Sequence, residues 1–138
     1  TIEGLPPFPC GCGLTNCVDA AGSARGLKQI HAALFQETLS ARDITNGWLA
    51  GEPKTGRTVE VYATLLTRAL AMAVNLTGAD IVPVGGGLSN ETELIALIDE
   101  KTRALTLADY MEPLVVPGTH AGDSGLVGAG IAGRLAFG

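Results

Sequence analysis

Ala79-Asp80-Ile81-Val82-Pro83-Val84-Gly85-Gly86-Gly87-Leu88-Ser89-Asn90 is the stretch on which the fold turns. Its short β-branched run ends in three consecutive glycines, the pattern of a buried strand that feeds a glycine turn. Asn90, with Glu93 three residues on, makes a capping box for a helix through Leu94, Ile95, Leu97 and Ile98. Leu114-Val115-Val116, bounded by Pro113 and Pro117, gives a second short strand near a sheet edge. Asp123 or Ser124 caps a last helix, in which Gly125, Gly128, Ala129 and Ala132 form a small-residue stripe that lets a helix backbone approach a sheet. Strand, helix, strand, helix in this order predicts a right-handed crossover and parallel pairing, and therefore an α/β domain.

Upstream of that unit the chain is helical. Val18, Ala21, Ala24, Leu27, Ile30 and Leu34 recur at helical spacing and predict one helix of about 18 residues starting after Cys17. Asp43, Ile44, Trp48 and Leu49 suggest a short second helix stopped by Gly51 and Pro53. Residues 57–76 read as a longer helix. Val59, Tyr62, Leu66, Leu70 and Ala73 make one apolar face and Leu65, Ala69, Met72 and Leu76 much of another, so both sides should be covered. Residues 1–16 have neither period, and three prolines with two of the cysteines mark them as a loop or knuckle.

A length of 138 residues is that of one domain, and a hydrophobic content of 46% excludes disorder. The net charge of −5, with nine Lys and Arg scattered along the chain, leaves no basic cluster that could neutralise neighbouring phosphates, so nucleic acid is excluded as a direct partner. The strongly apolar runs fall short of the roughly 20 residues a membrane span needs, and the amino end carries no leader pattern.

Cys10, Cys12 and Cys17 are the only cysteines, and they lie within eight positions as CGCGLTNC. Three thiols always leave one unpaired, and a disulfide between Cys10 and Cys12 would be strained. As thiolates they can instead supply three legs of a tetrahedral zinc site. His31 reads as a surface or satisfied interior residue of its helix and His120 is distant in sequence, so neither is an obvious fourth ligand. Gly85, Gly86 and Gly87 place backbone amides where a phosphate or nucleotide can approach without a side chain between, or else form an ordinary tight turn. Gly128-Ala129-Gly130-Ile131-Ala132-Gly133 matches GxGxxG literally, but no acidic residue follows about 20 positions on, so a dinucleotide fingerprint is rejected. Asp19, at the start of a helix, has a favourable charge against the helix dipole.

CGCGLTNCVD at 10–19 resembles the CxCGxxGCxE zinc signature of the ROK group of bacterial sugar kinases and sugar-responsive repressors. The order continues through IVPVGGGLSN and GDSGLVGAGIAG, which are similar to the nucleotide loop and closing helix of that group, and the resemblance covers nearly the whole chain. VNLTGADIVPVGGGLSN looks most like the N-acetylglucosamine kinases within it.

The resemblance implies a ribonuclease H-like, actin-type ATPase lobe, the second of two, with residues 1–17 as a zinc knuckle and 18–138 as the α/β lobe. It implies zinc on Cys10, Cys12 and Cys17, sugar hydroxyls on Asp19, which stands for the family's Glu, and the nucleotide on Gly85, Gly86 and Gly87. Asn16 replaces the family's glycine before the third cysteine, and Asn tolerates a left-handed backbone better than most residues. The Asp-Gly-Gly-Thr phosphate loop, the Asn-Asp pair with its catalytic base and the His that completes the zinc site have no match in these residues. The parent would then be a cytoplasmic, self-associating kinase that uses ATP with Mg on N-acetylglucosamine or a related hexose, and this lobe would be inactive without its missing amino-terminal partner. Two alternatives are the effector lobe of a ROK repressor, with a DNA-binding helix-turn-helix upstream, and a zinc-knuckle interaction module with no ligand of its own.

Overall fold

The computed structural model describes residues 5–119 and 124–137. In chain order it contains α1 (Val18–Ala21), α2 (Ala24–Phe35), α3 (Ala41–Leu49), α4 (Pro53–Thr77), β1 (Val82–Val84), α5 (Thr92–Arg103), β2 (Val115–Pro117) and α6 (Ser124–Phe137). β1 and β2 pair in parallel, with Val82 opposite Val115 and Val84 opposite Pro117, and α5 is the helix of the crossover. The expected strand, helix, strand order is therefore present.

Local chemistry sets most helix boundaries, and it corrects three expectations. The predicted 18-residue helix is broken at Gly22 and Ser23, because the Ser23 hydroxyl accepts the amide of Gly26 and starts α2 afresh. Pro53 opens α4 rather than only closing α3. It sits in the first turn, where its missing N–H costs nothing, while the Glu52 carboxylate accepts from the amides of Lys54 and Thr55. The capping box at Asn90 does not form. Residues 87–90 wind into a 3-10 turn, the amide of Ser89 donates to the Gly86 carbonyl, and Glu91 takes the cap position of α5 without capping its amides, its carboxylate accepting from the Thr45 hydroxyl instead.

α4 is the spine of the lobe, with α2, α3 and α5 packed against it. Leu27 and Ile30 of α2, Ile44 of α3, Val59 and Tyr62 of α4, and Leu94 and Ile98 of α5 form the buried centre. Each such aliphatic side chain contributes about 2 kcal/mol of transfer free energy. The expectation that α4 is covered on both sides fails at its carboxyl end, where Met72 is 63% and Leu76 80% exposed. By length and composition α4 could cross a membrane. Its buried Thr58 and Thr67 and its packing against four other helices are those of a core helix.

Asp99 ties the crossover to the sheet. Its Oδ1 accepts from the amides of Leu114 at 2.7 Å and Val115 at 2.9 Å, and its Oδ2 accepts from Arg103 Nε at 2.9 Å. In α6, Ser124 is the first helical residue and Asp123 lies outside the described residues. The stripe of Gly128, Ala129 and Ala132 is exposed, so among the described residues it meets no sheet.

Gly26 is where α2 crosses closest to α1. A Cβ there would lie 2.1 Å from the carbonyl oxygen of Ala21 and 2.7 Å from that of Ala20. Backbone cannot yield as a flexible side chain can, so Gly26→Ala is expected to destabilise the lobe by about 3 kcal/mol. Urea denaturation measures this, and an unchanged midpoint would show that the two helices separate freely.

Candidate functional site

Backbone geometry, rather than side-chain packing alone, brings the three cysteines together. Pro9 and Thr15 form an antiparallel bridge, the Cys10 amide donates to Leu14, and the Gly13 amide donates back to Cys10. Asn16 closes the loop. It adopts φ 59°, as its side chain tolerates, and its amide and Oδ1 both bond Phe8, which is buried in the core. The three sulfurs end within 4.8 Å of one another, and Cys12 Sγ is 3.4 Å from Cys17 Sγ. Zinc–sulfur bonds of about 2.3 Å at tetrahedral angles place sulfurs roughly 3.8 Å apart, so this donor set fits a zinc ion with one position open.

The thiols also divide their protons unequally. A bond with the Leu14 backbone, then bonds with the Cys17 and Cys10 side chains, lower the pKa of Cys12, while bonds with Cys12 and Cys10 push Cys17 up to about 12. Among the described residues no His, Asp or Glu joins the cluster, and His120 lies outside them. His31 is instead buried between α2 and α4, with Nδ1 2.8 Å from Thr58 Oγ1. The Thr58 hydroxyl donates its only proton to the Lys54 carbonyl, so it accepts from His31 Nδ1–H. Nε2 has no hydrogen-bond partner among the described residues and lies 3.8 Å from the carboxylate of Glu37.

A cleft of about 510 Å³ brings Asp19 of α1 and Gly85, Gly86 and Gly87 after β1 into one space. Gly86 has φ 75° and ψ −163°, a backbone that glycine adopts freely, and a Cβ there would meet only open space. Ser23, Arg25 and Leu66 also line the cleft. Arg25 was not among the site residues expected from the sequence. Helical spacing that runs on from Val18 to Leu27 hid it, and only the Ser23 cap of the folded chain brings Arg25 into the first turn of α2. Beneath the cleft, Tyr62 Oη donates to the Gly22 carbonyl at 2.6 Å, and burial pushes the phenol pKa up, so it remains a donor.

An α/β lobe with a three-cysteine loop on one side of a glycine-walled cleft is the class of protein this site defines. The family model for the ROK family matches residues 4–133, and the chain belongs to that family. It is 31% identical to an N-acetyl-D-glucosamine kinase of Yersinia pseudotuberculosis, over 91% of this chain and 41% of that protein. It is 33% identical to an N-acetyl-D-glucosamine kinase of Photobacterium profundum, over 92% of this chain and 42% of that protein. The ROK hexokinase of Thermus thermophilus superposes with a TM-score of 0.76 at 26% identity, covering all of this chain and 47% of its own. The chain thus spans less than half the length of these relatives.

Tyr62→Phe removes the donor and leaves the Gly22 carbonyl without its partner. It is expected to cost about 1–2 kcal/mol and to speed amide exchange at Gly22 and Ser23, at the floor of the cleft. Hydrogen exchange followed by NMR reads both, and unchanged exchange there would mean that the bond does not hold the junction.

Proposed function

We propose that this chain is the carboxyl-terminal lobe of an ATP-dependent sugar kinase whose substrate is N-acetylglucosamine or a related hexose. The observation that carries the reading is the single cleft lined by both Asp19 and Gly85–Gly87. A carboxylate accepts hydrogen bonds from sugar hydroxyls, and a glycine loop leaves backbone amides open to a nucleotide. Placing both in one cavity supports a phosphoryl transfer between the two ligands. The relatives described above are named as kinases, which favours this reading over a repressor's effector lobe.

On this reading each residue has a limited task. Asp19 orients the sugar by its hydroxyls, and Gly85, Gly86 and Gly87 seat the nucleotide. In the transfer, the acceptor hydroxyl oxygen forms a bond to the terminal phosphorus as the bond to the bridging oxygen breaks, and ADP leaves. The hydroxyl proton passes to a base. These residues contain no match to the family's catalytic Asp, so the base belongs to the other lobe, and so does most of the charge stabilisation that phosphoryl transfer requires. Cys10, Cys12 and Cys17 would hold zinc, with a fourth ligand from outside the described residues. When bound, zinc supplies a rigid cross-link that fixes the loop leading into α1.

Activity tests the reading directly. The 138-residue chain is expected to show no ATP-dependent phosphorylation of N-acetylglucosamine in a coupled ADP-release assay. The same chain joined to the lobe that precedes it should turn over. Activity of the pure chain, with contaminating kinase excluded, would overturn the division of labour, and an inactive two-lobed protein would overturn the kinase reading.

Zinc is tested separately. Elemental analysis of the reduced, folded chain is expected to find about one zinc per chain, lost in Cys17→Ser, and chelation should lower the melting temperature of the wild type. A folded wild type with no zinc would reduce the cysteine loop to a structural turn.

A further inference from the structure

We propose that Arg25 is the residue of this lobe that takes the phosphate chain of a bound nucleotide, a role that rests on the nucleotide reading of the cleft. Among the described residues, Asp19 and Arg25 are the two charged side chains lining the cleft, and they form no ion pair with each other. Arg57 and Arg103 are each paired with an acid of their own helix, Glu60 and Asp99. Arg25 has neither an ion pair nor a side-chain hydrogen bond among the described residues, so its five donors are free for a ligand.

The surroundings indicate which ligand. In a chain of net charge −5, this cation shares the cleft with a loop of three glycines, whose backbone a phosphate can approach closely. The guanidinium is a planar fork whose spacing matches two oxygens of one phosphate. Asp19 repels the same group, so an anionic chain is driven toward Arg25 while a neutral, hydroxyl-bearing sugar keeps Asp19. An apolar pocket of about 230 Å³ shares Gly22, Leu66, Val84 and Leu88 with the cleft. A molecule with an apolar ring and a phosphate chain matches this combination, and a free sugar does not. Ser23 fixes the start of α2 by accepting the Gly26 amide at 3.1 Å, so Arg25 projects from a set backbone.

The test separates this role from the reading beneath it. The 15N-labelled chain is titrated with adenosine and, in a separate series, with magnesium ATP, and the Gly85–Gly87 amides are followed in the wild type, Arg25→Met and Arg25→Lys. Both ligands are expected to move these amides, with ATP the tighter in the wild type. Arg25→Met should weaken ATP by about tenfold and leave adenosine unchanged, and Arg25→Lys should fall between. Arg25 is exposed on α2, so both variants should keep the wild-type spectrum elsewhere. Undiminished ATP affinity in Arg25→Met would overturn the proposal and leave the nucleotide reading standing. An equal loss for both ligands would also overturn it, since that marks a packing effect. If neither ligand moved the glycine amides at millimolar concentration, the nucleotide reading would fail and the proposal with it.

Discussion

The bond from the Tyr62 hydroxyl to the Gly22 carbonyl joins the buried spine of the lobe to the break between α1 and α2. The rest of the site depends on that junction. α1 carries Asp19 and starts from Cys17, so a shift of the junction moves the carboxylate and the last cysteine together. α2 starts from Ser23, and Gly26 lets it lie against the α1 backbone at a distance no other residue permits. Burial of Tyr62 protects the bond from water, and a carbonyl left unpaired there would cost more than the bond itself contributes. Directional chemistry at one atom pair therefore positions what the apolar core could only hold approximately.

Sequence patterns made much of this architecture legible. Parallel pairing of Val82–Val84 with Val115–Pro117 follows from period, length and the intervening helix, all of which are local properties. The closeness of the three cysteines follows from their spacing and from residues that accept positive φ, Gly13 and Asn16. Bonds between distant residues were not legible. Nothing near Asp99 indicates that its carboxylate will collect the amides of Leu114 and Val115, 15 and 16 residues away. The break at Gly22 was hidden because Val18, Ala21, Ala24 and Leu27 keep helical spacing straight through it. Only the competition between helix continuation and a Ser23 cap decides the outcome.

The failed capping box at Asn90 has the same origin. Asn90 and Glu93 have the spacing for reciprocal bonds, but Ser89 turns back on the Gly86 carbonyl and draws residues 87–90 into a 3-10 turn. The turn delays α5 until Thr92 and holds Gly86 at positive φ beside the cleft. A local helix signal thus yields to a loop geometry that keeps backbone exposed. Sequence rules tend to fail at such places, where function and local propensity favour different conformations.

Electrostatics gives the cleft a direction that its shape alone does not. A chain with five excess negative charges disfavours anionic ligands at long range, and salt screens that repulsion beyond about 8 Å at physiological ionic strength. At contact distance the local charges decide. With Asp19 and Arg25 both on the cleft and, among the described residues, unpaired, one region accepts hydroxyl protons and another presents donors to oxygen anions. Had the two side chains formed an ion pair, both functions would be cancelled in the empty site, and a ligand would have to break the pair before binding. Leaving them apart costs little, because each is exposed and solvated. The same separation leaves an acceptor at Asp19 and a donor fork at Arg25, so the polarity of the cleft is set by residues of this chain.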